Sequence, residues 1–156
     1  MAQPEPDAPV EDLRGTVLCI EDDPVNRMLV EAMLSAFPAV TLRLAVNGRD
    51  GIRAALEAMP DVILLDMNMP DMRGLDVVRV LSDRITDSAC HVILLTAERF
   101  SIDLAKAMSL GAREHWEKPL CADTVYGGLC RILRSQQGSP AGFPTSPVYP
   151  LVATAL

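Results

Sequence analysis

Three unbroken runs of apolar residues, and a fourth weaker one, each end on a polar or charged residue. Val17-Leu18-Cys19-Ile20 leads into Glu21, Asp22 and Asp23, and Val62-Ile63-Leu64-Leu65 leads into Asp66. Val92-Ile93-Leu94-Leu95 leads into Thr96, and the half-polar segment Glu114 to Glu117 leads into Lys118-Pro119. Runs of four apolar residues set between helical patterns predict strands buried on both faces, the signature of a parallel sheet. The intervening segments have the other period. Pro24 to Ala36 places Val25, Met28, Leu29, Ala32, Met33 and Ala36 at helical spacing, with Pro24 suited to the first turn. Thr41 to Val46 alternates as a further strand, Asn47-Gly48 marks a turn, and Arg49 to Met59 predicts a helix ending before Pro60. A loop carrying Pro70 and Gly74 precedes a helix with Leu75, Val78, Leu81 and Ile85 as its apolar face. Residues 99–110, closed by Gly111, and residues 121–135 supply two more helices. The order βαβαβαβαβα predicts an α/β sandwich with right-handed crossovers.

In such a sheet, ligands bind beyond the carboxyl ends of the strands. A carboxylate cluster, a lone Asp, a hydroxyl and an ammonium therefore converge on one edge, where a metal and a phosphoryl group could be handled together. Magnesium takes one or two carboxylates with carbonyl and water oxygens, and Glu21, Asp22 and Asp66 could supply the carboxylates. Asp22 or Asp23 could equally cap the following helix, although three adjacent acids exceed what a cap requires. Asp66 leaves the sheet into Met67-Asn68-Met69-Pro70, and a carboxylate there could attack phosphorus to give an acyl phosphate. A solvated strand-end Asp is the plainer reading of that residue taken alone. Thr96 could donate its hydroxyl to a phosphoryl oxygen or simply end its strand. Lys118 is a compact cation suited to a phosphoryl oxygen, or an ordinary surface lysine.

The segments VLCIEDDPVNR, ILLDMNMPDMRGLDVV, VILLTAE and GAREHWEKP together resemble the receiver domain of response regulators, the CheY-like family, over residues 15–134. EDDPVNR is similar in particular to receivers of hybrid sensor kinases and phosphorelays. The resemblance implies a flavodoxin-like (βα)5 three-layer sandwich with a five-stranded parallel sheet in order 2-1-3-4-5. It implies that Asp66 is the phosphoacceptor, served by a phosphohistidine on a sensor histidine kinase or histidine phosphotransfer protein. It further implies Mg2+ held by Glu21, Asp22, Asp66 and the backbone carbonyl of Asn68, with Lys118 on the phosphoryl group. Thr96 and His115 would form the switch pair, His115 standing where the family usually has Tyr or Phe. Asn68 and Glu98 occupy the positions that tune loss of the phosphoryl group and match the rapidly turning-over chemotaxis receivers. A cis peptide at Lys118-Pro119 is a further expectation, and Trp116 is expected near the face of His115. Asp23 receives no ligand role.

The bulk properties narrow the partners. The chain has 156 residues, a net charge of −7 and a pI near 4.7, which leaves no electrostatic footprint for nucleic acid or an anionic membrane. The four cysteines show no CxxC spacing, and no segment approaches the length of a membrane span, so a cytoplasmic location is expected. Seven of the twelve prolines lie near the ends. Residues 1–14 are therefore expected to be a disordered tail, 15–135 the receiver domain and 136–156 a Pro-rich tail. No DNA-binding helix-turn-helix follows residue 135, so the expectation is a stand-alone receiver, not an enzyme beyond its own phosphorylation chemistry. It would signal by protein contact through the 99–135 face, with a homodimer left open. A phosphorelay shuttle or phosphate sink is the alternative within this class. An aspartyl phosphohydrolase is disfavoured because Asn68 stands where a general acid would be needed, and a receiver-like module that takes no phosphoryl group is disfavoured by the intact acids and lysine.

Overall fold

The computed structural model describes residues 9–137. Five parallel strands, β1 (Gly15–Ile20), β2 (Val40–Ala45), β3 (Val62–Asp66), β4 (His91–Thr96) and β5 (Glu114–Glu117), form one sheet in the order β2-β1-β3-β4-β5. The helices are α1 (Pro24–Leu34), α2 (Gly48–Glu57), α3 (Gly74–Ser88), α4 (Ile102–Ser109) and α5 (Ala122–Gln137). β3 is buried at every position, as its continuous apolar run requires. The half-polar β5 pairs with β4 from Ile93↔Glu114 to Thr96↔Glu117 and so holds an edge. Among the described residues no helix is long and apolar enough to cross a membrane.

The sheet separates two apolar cores. On one face Leu18, Ile20, Ile63, Leu65 and Leu94 pack under α2, α3 and α4, with Leu75, Leu81 and Leu104 among the helical contributions. On the other face Val17, Cys19, Leu64, Leu95 and Trp116 meet Val30 and Leu34 of α1 and Val125, Leu129 and Leu133 of α5. Cys19, Cys90 and Cys130 are buried free thiols, small apolar residues in effect. Burial pushes the thiols of Cys19 and Cys90 up to about 12.

Three expectations are corrected. Within the predicted N-terminal tail, Val10–Asp12 form a 3-10 turn and Leu13 is fully buried in the α1/α5 core, because its side chain completes the floor under that layer. At the other end α5 runs through Gln136 and Gln137, the first two residues of the predicted C-terminal tail, while residues 1–8 and 138–156 lie outside the described residues. Second, α1 turns the opposite stripe inward: Val30 and Leu34 are buried, whereas Val25, Met28 and Leu29 are 60%, 67% and 39% exposed. Third, α4 begins only at Ile102, since Ser101 caps it by accepting from the Leu104 amide at 3.0 Å, leaving residues 99–100 in an exposed loop.

Trp116 dictates a glycine in α5. A Cβ on Gly128 would stand 2.4 Å from Trp116 Cζ2, whereas one on the adjacent Gly127 would meet nothing within 4 Å. Opposite signs are therefore expected in chemical denaturation. Gly127→Ala should stabilise by about 0.5–1 kcal/mol through helix propensity, and Gly128→Ala should destabilise by about 1–3 kcal/mol through overpacking. Equal shifts in the two variants would show that Trp116 does not set this packing.

Candidate functional site

The site lies at the carboxyl ends of β1, β3, β4 and β5. β1 delivers Glu21 and Asp22 into the turn before α1, and β3 ends on Asp66 itself. One oxygen from each of Glu21, Asp22 and Asp66 lies within 4.8 Å of the other two, so the three carboxylates have metal-ligand spacing. Asp23 stays outside this cluster and caps α1, accepting from the Val25 amide at 2.9 Å with Pro24 in the first turn. Lys118 follows β5, joined to Pro119 by a cis peptide. Its Nζ lies 3.0 Å from Asp66 Oδ1 and 2.9 Å from Glu21 Oε1.

These neighbours set the electrostatics. Burial, reinforced by the adjoining Glu21 carboxylate, pushes Asp66 from its ordinary 3.8 up to about 7, against the pull of the Asn68 amide and Lys118. Burial opposes the charge on Lys118, but the adjoining Glu21 and Asp66 carboxylates outweigh that and push its pKa up. Glu21 is 1% exposed, and its Oε1 has the Lys118 ammonium nearby yet no aligned hydrogen bond. A buried oxygen lacking a bond, crowded by two further carboxylates, fits a hard divalent cation with oxygen preference.

The remaining predicted residues are placed as follows. The Asn68 amide donates to Asp66 Oδ1 at 3.1 Å, and its side chain lies at the surface. Thr96 is buried, its hydroxyl donating to the Glu98 carbonyl at 2.9 Å and accepting from the Glu98 amide at 3.0 Å, so it is held by its own turn and not by Asp66. Asn68, Thr96 and Glu98 line a cavity of about 210 Å³ with Met67, Ser101, Ile102 and Asp103. His115 is exposed on β5. Trp116 corrects its expectation: strand alternation sends it to the opposite face, into the α1/α5 core, where Nε1 donates to Glu114 Oε1 at 3.0 Å.

Family model, relatives and solved structures agree with this geometry. Residues 17–127 match the model described as the response regulator receiver domain. The chain belongs to the response regulator receiver family. Protein PilH of Pseudomonas aeruginosa is 32% identical over 75% of this chain and 96% of its own length. The DNA-binding response regulator MtrA of Mycolicibacterium smegmatis is 28% identical over 85% of this chain but only 56% of its own length. The chain thus spans about half the length of MtrA and nearly all of PilH. Among solved structures, the chemotaxis protein CheY4 of Vibrio cholerae superimposes with a TM-score of 0.69 at 27% identity, covering 77% of this chain and 99% of that one. The receiver domain of sensor histidine kinase PA1611 from Pseudomonas aeruginosa, solved with a magnesium ion coordinated in its active-site cleft, gives 0.68 at 26% identity, with 76% and 97% coverage.

Sequence reasoning missed three residues that shape this receiver's site. Asp71 accepts from the Gly48 and Arg49 amides at 3.0 and 2.9 Å, tying the loop after Asp66 to the start of α2. Arg73 ends that loop and reaches Asp103 in the first turn of α4 at 2.8 Å. Arg27 reaches back from α1 to the carbonyls of Glu21 and Asp22. Only Arg27 had a readable signal, an arginine five and six residues after the acids and one turn into a capped helix.

Proposed function

We propose that this receiver accepts a phosphoryl group on Asp66 from a phosphohistidine of a sensor histidine kinase or histidine phosphotransfer protein. The observation that carries the reading is the convergence of Glu21, Asp22 and Asp66 within 4.8 Å, with Lys118 in reach of two of them. Asp66 Oδ attacks phosphorus, the P–N bond to the donor imidazole breaks with its electron pair returning to nitrogen, and an acyl phosphate remains. Glu21, Asp22, Asp66 and the Asn68 carbonyl would hold Mg2+, which would supply charge neutralisation for the transferring oxygens. Lys118 moves its ammonium from carboxylate to phosphoryl oxygen, and Thr96 exchanges its turn bonds for one to the same group. The magnesium in the PA1611 receiver supports the choice of cation.

The exposed Val25, Met28 and Leu29 stripe beside this site supports docking of an apolar protein surface on the donor. Phe100 and Ile102, exposed in the 99–135 segment, support a separate surface for the downstream target. The test is phosphotransfer from a panel of phosphorylated histidine kinases and phosphotransfer proteins, with and without chelator. Label is expected on this chain only when magnesium is present, and chelator-insensitive labelling or none at all from any donor would exclude the reading. Asn68 and Glu98, the pair that matches the rapidly turning-over chemotaxis receivers, are both exposed and line one cavity with Thr96. The phosphorylated form is therefore expected to decay within minutes at neutral pH in magnesium buffer. Survival for hours, followed by intact mass, would reverse that expectation.

A further inference from the structure

Arg27 belongs to the first turns of α1, yet its guanidinium does no work for the helix. Nη1 donates to the backbone carbonyls of both Glu21 and Asp22, each at 2.8 Å. The same two residues carry two of the three clustered carboxylates. We infer that Arg27 is a positioning residue for divalent-cation binding, aiming the acidic turn at Asp66 through its backbone.

The bonding pattern around the two acids makes the case. Glu21 is held on every side: its amide donates to the Ala45 carbonyl at 3.0 Å, its Oε2 accepts from the Asp23 amide at 3.1 Å, and its Oε1 lies 2.9 Å from Lys118 Nζ. Asp22 is not. No hydrogen bond from the described residues orients its carboxylate, so the peptide units on either side of it, which fix its Cα–Cβ direction, are its anchor. Arg27 fixes both of those units by their carbonyls. Metal ligands are commonly oriented this way by groups that never touch the ion, and losing such a group lowers affinity about 10- to 100-fold.

Charge alone predicts the opposite sign. A guanidinium beside the site repels a dication, so removing it should tighten binding if Coulomb interaction were its whole effect. Positioning predicts weaker binding, and the two cannot be confused.

This inference rests on the proposed cation-dependent phosphoacceptor role, and its test keeps the two separable. Mg2+ and Mn2+ affinities would be measured by calorimetry on the full chain for wild type, Arg27→Gln and Arg27→Lys, with metal-free melting curves beside them. Arg27→Gln is expected to raise the dissociation constant about 10- to 100-fold. Arg27→Lys, which keeps the charge and a single donor nitrogen, is expected to fall between the two. If Arg27→Gln fails to melt cooperatively, Arg27→Lys alone carries the comparison. Binding as tight as wild type in the folded variants, or tighter, overturns the inference while leaving the phosphoacceptor reading in place. A wild-type chain that binds neither metal overturns both.

Discussion

Asp66→Asn is expected to abolish phosphoryl incorporation from acetyl phosphate and, in the same protein, to raise the metal-free melting temperature. The first half follows from chemistry, because an amide oxygen cannot form the acyl phosphate. The second follows from burial. The unfolded chain releases the Asp66 proton near 3.8, whereas the folded chain keeps it to about 7. Between those values the unfolded state binds fewer protons than the native one, so the Asp66 contribution to stability declines as pH rises and is fully lost above pH 7. Asn removes that penalty. The gain should be absent near pH 3, grow through pH 4 to 7, and level off at about 1–3 kcal/mol, less than the full shift because the variant leaves Lys118 without its Asp66 ion pair. Intact mass after acetyl phosphate treatment and thermal melts across pH check the two halves. A variant that loses labelling because it is misfolded would melt lower, so the paired readout separates chemistry from damage. Added magnesium should stabilise the wild type more than the variant, since ligand binding to the native state alone adds stability.

The second large effect lies at the other end of β5. Glu114 accepts from Arg131 through both carboxylate oxygens, at 2.9 and 3.2 Å, from Trp116 Nε1 at 3.0 Å, and pairs with His91 Nε2 at 2.8 Å. Burial works against its charge, but the hydrogen bonds from His91 and Arg131 and the Arg131 charge hold its carboxyl down at about 2, well below the ordinary 4.5. Here the sign is reversed. Between those values the unfolded state binds more protons, so this stabilisation is complete above pH 4.5 and disappears as pH falls toward 2. Glu114→Gln should lower stability by about 2 kcal/mol at neutral pH, with wild type and variant converging in that acid window. Denaturant titrations at pH 7 and pH 2.5 would decide it. A gap that persists undiminished at pH 2.5 would place the effect in shape and not in charge.

Much of this fold could be read from residue order, because a parallel sheet buried on both faces demands runs such as Val62-Ile63-Leu64-Leu65, and few other structures do. The strand ends followed from the same logic, and Glu21, Asp22, Asp66 and Lys118 do meet at one place. What periodicity could not resolve was a choice between two equivalent stripes. α1 carries Val25, Met28 and Leu29 on one side and Val30 and Leu34 on the other, and both have helical spacing. The sheet decides which side is buried, and that is tertiary information. Trp116 was misplaced for a related reason: proximity in sequence to His115 suggested a shared face, whereas successive strand residues point oppositely. Arg27, Asp71 and Arg73 act through backbone carbonyls, backbone amides or a distant helix, and residue-type spacing does not encode such partners.

The two apolar cores share a sheet but no helices, with α1 and α5 over one face and α2, α3 and α4 over the other. Substitutions on opposite sides of a sheet whose side chains do not touch contribute to stability almost independently. The proposed donor-facing stripe on α1 and the exposed residues at the start of α4 therefore draw on separate reserves of stability. On the proposed assignment, one surface can be rewritten for a new upstream partner while the other retains its downstream one, so input and output would be free to diverge at different rates during evolution.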